Sequence, residues 1–527
     1  MNPISKQDLF VSSHSFRHVG DEYKAIDKNA LYDSCLPASP KKMFLAQRVG
    51  LTGIMNESCV YLDYPPGRGK SRMAIEAIRH LVRGSRGIHK VLVLVMNDAG
   101  VEGWKEQFDE YGPELKVSYL SSRIRSERHQ QVMEFSGNVL VVTYPSLLSI
   151  MCSLPIGGKT RKHRQVDMQK AVGFSALFDM VVFDEAREIG NPSALRFQLC
   201  SILSRNKKKR VCMSATPFSR DPAPLWSQGF VLDEGKTFGN NFFAFRSIFY
   251  RRINVRWGNG IDYQYNHRFN PHLNRLFSNL AISYNPDECD IDMPEVTSAV
   301  LPIPQSEDVK QYSRLVASGI RAIHKSGYDK ALIENVYMTQ RRLASAFIRD
   351  VENGIGGQFV PVDVDFSDSP KMDTLIPLIQ DCIRTGKMII YVHFIHSGQR
   401  IAQQLKKLGI EYAEMYGDSH KNQEYVRFRD VPDVKVMIAH PKSGGVGLNL
   451  QFAPYMVFYE IPDSPDVYYQ ALHRSIRAGS SNHVFVWHFL TTGSCEPKIW
   501  KWLQAGKDAW HEILNHPKEF LEGISSD

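Results

Sequence analysis

The segment Tyr64-Pro65-Pro66-Gly67-Arg68-Gly69-Lys70-Ser71 has the make-up of a phosphate-cradling loop. Small residues let backbone N–H groups close on anionic oxygens, and a helix starting at the lysine turns its positive end toward them. An apolar run precedes the segment and a helical pattern, Met73 to Leu81, follows it. In that setting Gly67, Arg68 and Gly69 would form the cradle, Lys70 would reach the outer phosphates, and the Ser71 hydroxyl would hold Mg²⁺. Tyr64 stands where such a loop usually opens with glycine. Further along, Val181-Val182-Phe183-Asp184-Glu185 puts two carboxylates at the exit of an apolar strand. One of them suits Mg²⁺, and its neighbour suits polarising an attacking water. An acidic pair after a strand is commonplace alone; behind an upstream phosphate loop it predicts a nucleoside triphosphate site.

These residues need a scaffold that brings strand ends together. From about 40 to 226, short apolar runs alternate with helical patterns: Val60-Tyr61-Leu62, Val91 to Met96, Val139 to Thr143, Met180 to Phe183 and Val211 to Met213. Continuous β-branched runs of this kind suit a parallel sheet covered on both faces. A second series lies between about 369 and 510: Met388 to Phe394, Glu411 to Tyr416, Val434 to Ala439, Met456 to Tyr459 and Val484 to Phe489. The expected fold class is α/β, with two doubly wound parallel-sheet lobes in tandem. Residues 1–39 read as an N-terminal extension and 511–527 as a C-terminal tail. Residues 227–368 read as a largely helical insertion between the lobes, with Asp308 to His324 and Tyr328 to Arg349 as a helical pair. Gly354 to Ser369 reads as a loop.

Composition sets the outer limits. The chain has 527 residues, enough for two to four domains, with 43% hydrophobic and 23% charged residues, a soluble globular balance. No apolar stretch approaches the roughly 20 residues that cross a bilayer, and the start lacks a basic flank followed by an apolar block. The expectation is a soluble intracellular protein with no membrane partner, cytoplasmic if bacterial or phage in origin. The eight cysteines are scattered, without the close pairs of a zinc site or a stapled secreted module. Lys plus Arg (64) exceeds Asp plus Glu (56), giving a net charge of +8. That excess is compatible with a polyanionic partner and too small to identify one.

Taken in order, the motifs resemble those of the superfamily-two helicases, specifically their Swi/Snf-like ATPase branch in a compact phage, viral or bacterial form. The resemblance covers about residues 40–510 and implies two RecA-like lobes. Phe44-Leu45-Ala46-Gln47-Arg48-Val49-Gly50 is similar to the segment whose glutamine recognises adenine, which gives Gln47 that role. Lys70 and Ser71 take the phosphate-loop roles, and Asp184 and Glu185 the Mg²⁺ and water-activating roles. Ser214-Ala215-Thr216-Pro217 resembles the segment that couples hydrolysis to nucleic-acid binding. In the second lobe, His440-Pro441-Lys442-Ser443-Gly444-Gly445-Val446-Gly447-Leu448-Asn449-Leu450 is similar to a signature of this branch, with Gly447 on the nucleotide side. Gln470-Ala471-Leu472-His473-Arg474-Ser475-Ile476-Arg477 resembles the last motif. Gln470 takes a coupling role there, and Arg474 and Arg477 fall one helical turn apart, able to reach the γ-phosphate from across the cleft. One departure stands out: the family usually has His after Asp-Glu-Ala, and this chain has Arg187, a permanent charge with different geometry.

The resemblance implies ATP and Mg²⁺ as ligands and double-stranded DNA as the track, with branched DNA or protein–DNA complexes as further substrates. Lys442, Ser443, Gly444, Gly445 and Thr143 are candidate phosphate contacts. Trp104 either lines the track or packs in the core. Lys159 to Arg164 forms a basic loop that either grips phosphate or is a solvated insertion. Arg246 to Trp257 interleaves arginines with aromatics, a pattern that suits DNA or an aromatic core equally. The leading expectation is an ATP-dependent duplex-DNA translocase. Two alternatives remain open: a strand-separating or branch-migrating helicase, and a non-catalytic DNA-binding factor with a vestigial ATP site.

Overall fold

The computed structural model describes residues 42–527 except 85, 121–126, 128–129, 133, 154–163, 219–220, 255–260, 286–287, 290–292, 324–329, 354–358, 418–420, 443–447, 478–481, 516–519 and 521–527; nearer the N-terminus it describes a strand pair, His14–Val19 with Glu22–Asp27. Two parallel sheets dominate. The first has seven strands, β1 (Cys59–Asp63), β2 (Val91–Val95), β3 (Val117–Tyr119), β4 (Val139–Thr143), β5 (Met180–Asp184), β6 (Lys209–Ser214) and β7 (Ala281–Ser283), in the order β7-β1-β6-β5-β2-β4-β3. The second has six, β8 (Val296–Ile303), β9 (Met388–Tyr391), β10 (Tyr412–Met415), β11 (Val436–Ala439), β12 (Tyr455–Phe458) and β13 (Val484–Thr491), in the order β8-β13-β12-β9-β11-β10. The α/β architecture of two parallel-sheet lobes is the one expected.

The reason is visible in the strands. Every residue of β2, β4, β5, β9 and β11 is buried, so apolar runs with no polar alternation are covered by helices on both faces. In the first lobe, alternate residues divide between two cores. Val60, Leu62, Val91 and Val93 pack with Met73, Ile78 and Leu81 of the helix after the phosphate loop. Tyr61, Leu92, Leu94 and Phe183 face the opposite core. The helices used below are α1 (Leu45–Asn56), α2 (Lys70–Arg83), α3 (Asp98–Tyr111), α4 (Tyr144–Met151), α5 (Lys330–Leu343), α6 (Lys421–Asp430) and α7 (Pro465–Leu472).

The middle segment differs from the insertion that composition suggested. It supplies an edge strand to each sheet: β7 pairs with β1, and β8 with β13 along Val296–Ile303. Before β7, the Arg- and aromatic-rich stretch extends the first core, with Phe245, Phe249, Tyr250 and Tyr265 buried and Arg246 lying 3.7 Å above the Tyr263 ring. The aromatic-core reading is what these contacts show for Phe249 and Tyr250; Arg256 and Trp257 lie outside the described residues. The second helix of the expected pair stops at Leu343, because Phe347–Asn353 pairs antiparallel with Phe359–Asp365 where a loop was expected. The alternation Val360, Val362, Val364 is the strand signal that the Gly- and Asp-rich composition hid. α5 docks on the second lobe through the buried Arg341, which pairs with Asp463 and donates to Ile461 O at 2.5 Å. No helix among the described residues is long and apolar enough to cross a membrane.

Candidate nucleotide site

Parallel register brings the first-lobe residues together. β6 lies between β1 and β5, with Ser214 opposite Asp63 and Met213 opposite Asp184. The phosphate loop leaves β1, the acid pair ends β5, and Ser214 ends β6, so all three emerge at adjacent carboxyl ends, where open α/β sheets bind ligands.

The loop's two glycines are required by geometry. Gly67 and Gly69 have φ of +73° and +80°, the left-handed region. A Cβ on Gly69 would lie 2.5 Å from Gln47 Nε2, and one on Gly67 would lie 2.8 Å from Ile476 O and 3.5 Å from Arg477 Cα. Gly67 therefore touches the second lobe, and the cleft is closed at the phosphate loop. Gly69→Ala is expected to lower stability by about 1–3 kcal/mol through backbone strain alone, read as a shift in the urea midpoint.

Lys70 starts α2 and donates from Nζ to Tyr64 O at 2.8 Å and Pro65 O at 3.2 Å, which keeps the cation over its own loop. Gln47 is buried. Its Oε1 accepts from Phe44 N at 3.2 Å and its Nε2 donates to Arg68 O at 3.2 Å, so it ties the start of α1 to the loop. Ser71 follows Lys70 in the first turn of α2, half-buried.

The acid pair is held from several sides. Trp104 Nε1 donates to Asp184 Oδ2 at 2.7 Å, Glu185 N donates to Asp184 Oδ1 at 3.0 Å, and Tyr144 Oη donates to the Asp184 carbonyl at 2.9 Å. Burial raises the Asp184 pKa despite the Trp104 hydrogen bond and the Lys70 charge. Burial first, and the neighbouring Asp184 charge second, push Glu185 up to about 7. Glu185 is also one of the few non-glycine residues at positive φ, +46°. That strain accompanies a carboxylate aimed out of the strand end. Ser214 Oγ lies 3.4 Å from Glu185 Oε2 and accepts from Thr216 N at 3.1 Å; Ala215 and Thr216 are buried beside it. Of the residues expected to couple, Ser214 is thus the one within hydrogen-bond reach of the Glu185 carboxylate.

Three other expectations change on contact with the structure. Trp104 is only 2% exposed and faces Asp184, so its core alternative is the one seen. Thr143 is equally buried, and its Oγ1 accepts from Ser146 N at 3.1 Å to cap α4, which turns it away from any open groove. Arg474 and Arg477 do not share a helical face: α7 ends at Leu472, and the chain continues through turns, Arg474 N donating to Ala471 O at 3.3 Å. Arg477 lies at the cleft, its Cγ 3.7 Å from the position a Cβ on Gly67 would take, while Arg474 is buried among second-lobe groups. Arg474 Nη2 donates to Pro441 O at 2.8 Å and Arg477 Nη2 to Leu448 O at 2.6 Å.

Burial lowers the pKa of both arginines. Arg474 Nη1 and Arg477 Nε are buried without a hydrogen-bond partner among the described residues. A desolvated guanidinium with a spare donor, that of Arg477, beside a loop of backbone amides fits a polyphosphate. The adjoining His473 is lowered to about 4 by burial and by the charges of Arg68, Lys70 and Arg477, which places it in the field of the loop. Gln470 is half-buried on α7, and Lys442 is exposed just beyond β11. Ser443, Gly444, Gly445 and Gly447 lie outside the described residues, as does the basic loop through His163.

Sequence reasoning missed the partners that span the lobes. Arg187 pairs with Asp466 on α7, Glu106 pairs with Arg429 on α6, and Ala99 of α3 packs into the second lobe's core. None carries a motif. The unusual Arg187 was the one available signal.

Comparison with known proteins gives the family. The SNF2-related domain matches residues 53–342, more than half of the chain. The chain belongs to the SNF2-related family. The helicase conserved C-terminal domain matches residues 370–479 of this SNF2-related chain, covering most of the second sheet. An uncharacterized ATP-dependent helicase of Mycoplasma genitalium is 21% identical over 467 residues, 88% of this chain and 41% of that protein. An ISWI chromatin-remodeling complex ATPase of Arabidopsis thaliana is 21% identical over 461 residues, 85% of this chain and 39% of that protein. The chain thus spans about two fifths of the length of these curated relatives. The SWI2/SNF2 ATPase core of Sulfolobus solfataricus, solved in complex with dsDNA, aligns over 92% of this chain and 97% of its own at 17% identity, with a TM-score of 0.38.

Proposed function

We infer that this SNF2-related chain is an ATP-driven motor that tracks along double-stranded DNA and remodels DNA or protein–DNA complexes. The observation that carries the ATPase part is the closure of the phosphate loop on the second lobe, with Gly67 against Ile476 and the buried Arg477, whose Nε has no hydrogen-bond partner among the described residues.

Each residue has a task in that reading. Gly67, Arg68, Gly69 and Lys70 would bind the phosphates; Ser71 and Asp184 would hold Mg²⁺, with Trp104 orienting the Asp184 carboxylate. Bound Mg-ATP supplies the phosphoanhydride whose cleavage drives the cycle. Glu185 accepts the proton of the attacking water, Arg474 and Arg477 balance the negative charge that builds on the transferred group, and Ser214 to Thr216 relay the change at Glu185 to the lobe interface. Cleft opening and closing then shifts the second lobe along the strand, with Lys442 at the exposed end of β11 available to a backbone phosphate. The duplex track is supported by relatives named as ISWI chromatin-remodeling complex ATPases.

The Glu185 pKa gives a pH test. A base must be deprotonated, so the hydrolysis rate is expected to be depressed below pH 7 and to rise through about 7 as Glu185 ionises. Stability should move the other way. A carboxyl group whose pKa is raised in the folded state favours folding below its ordinary range, and that contribution is lost as pH rises through about 7. Glu185→Gln is therefore expected to melt higher than the parent at pH 8 while losing the acidic limb of the rate profile.

The track is tested by displacement of a third strand from a triplex. Displacement that requires ATP supports duplex tracking; unwinding of a forked duplex without triplex displacement would replace the reading by a strand-separating helicase.

A further inference from the structure

Two ion pairs join the lobes without touching the phosphate loop. Arg187, three residues past Asp184, pairs with Asp466 in the first turn of α7. Glu106 on α3 pairs with Arg429 on α6, and the Tyr425 hydroxyl of α6 lies 3.4 Å from Glu106 Oε1 and 3.1 Å from Asn449 O. Arg429 is braced on its own helix by Asp430, at 2.7 and 2.9 Å.

Each pair ends on the support of one arginine. α7 runs from Asp466 directly into the turn that carries Arg474, and the Arg474 carbonyl accepts from Leu450 N at 3.0 Å. α6, held by Glu106, presents Tyr425 to Asn449 O, next to the Leu448 carbonyl that receives Arg477 at 2.6 Å. The path on one side is Arg187, Asp466, α7, Arg474. On the other it is Glu106, α6, the 448–449 turn, Arg477.

Their energies alone would not earn notice. Side chains 33% and 17% exposed in one pair, and 36% and 33% in the other, belong to the class worth about 0–1 kcal/mol. Position matters more than energy here, because a shift of about 1 Å in a group that acts on the transition state costs about 100-fold in rate.

We propose that Arg187–Asp466 and Glu106–Arg429 are positioning pairs that set the register of the second lobe on the first and so aim Arg474 and Arg477 at the phosphate loop. The arginine at 187 belongs to this device, since its fork reaches a carboxylate on the facing lobe. The rate effect rests on the ATPase reading above; the docking register does not.

The test reverses and then swaps the charges: Arg187→Glu, Asp466→Arg and the double swap, and Glu106→Arg, Arg429→Glu and their double swap. Two quantities are read, energy transfer between dyes at the exposed positions Lys170 and Lys406 of the two lobes, and kcat and KM for ATP. Each single reversal is expected to lower closed-state transfer and to cut kcat by about 10- to 100-fold, with KM within about threefold. Each swap is expected to recover both quantities to within about threefold. Where a reversal fails to fold, Arg187→Gln and Glu106→Gln serve in its place and should shift both quantities in the same direction by less. Unchanged transfer and kcat in the reversals, or swaps no better than the reversals, would overturn the proposal. Reversals that change the transfer in a parent protein without ATPase activity would uphold the register and remove the motor reading instead.

Discussion

Lys70→Ala is expected to lower nucleic-acid-stimulated ATP hydrolysis by about 100- to 1000-fold, the usual consequence of removing one preorganised cation from a site of developing negative charge. The reason lies in what holds the lysine. Nζ donates to the carbonyls of Tyr64 and Pro65, so the cation is fixed over the loop before any ligand arrives. Tyr64 is buried, but the apolar contacts that build the β1 and α2 core do not include the lysine head. Melting temperature should therefore stay within about 2 °C of the parent. Phosphate release and a thermal melt on the same preparation check both halves.

Arg474→Ala and Arg477→Ala are expected to have effects of the same size with a different signature. Each should cut kcat by about 1000-fold, the scale of an arginine that balances charge at a transferring phosphoryl group. Affinity for a fluorescent ATP analogue should change by less than about fivefold, because Lys70 and the loop amides of the first lobe remain. Arg474 Nη1 and Arg477 Nε are buried donors with no hydrogen-bond partner among the described residues. A lysine at either position should not restore the rate, since one ammonium cannot both hold a backbone carbonyl and present a second planar donor. Loss of analogue binding together with loss of hydrolysis would assign the arginines to binding instead.

How much of this was legible beforehand follows from which interactions are local. The phosphate loop, the acid pair and the strands that deliver them could be read because each is a short run whose spacing carries its own physics. Gly67 and Gly69 announce backbone that other residues avoid, and five-residue apolar runs announce strands covered on both faces. What could not be read is what depends on residues distant in sequence. Trp104 looked equally suited to a groove and a core until Asp184, 2.7 Å from its indole nitrogen, decided it. Thr143 has the residue type and strand-end place of a phosphate contact, yet its hydroxyl caps α4. The helical face assigned to Arg474 and Arg477 failed because α7 ends at Leu472 and tertiary contacts to Pro441 and Leu448 do the placing. Residues 227–368 looked like an insertion because their strands, β7 and β8, are edge strands with partners from other parts of the chain. Glu106, Arg429 and Asp466 had no local signal at all.

The net charge of +8 fits the same lesson. Its magnitude says little. Its placement says more, because Lys70 and Arg477 are gathered at one cleft while Lys442 stands exposed at a strand end.

The measurement closest to the central claim is steady-state ATP hydrolysis at fixed salt with duplex DNA, single-stranded DNA or RNA added, for the parent chain and Lys70→Ala side by side. Hydrolysis stimulated most strongly by duplex DNA and lost in Lys70→Ala is the expected result. No hydrolysis by the parent under any of these conditions, or hydrolysis unchanged in Lys70→Ala, would contradict the account.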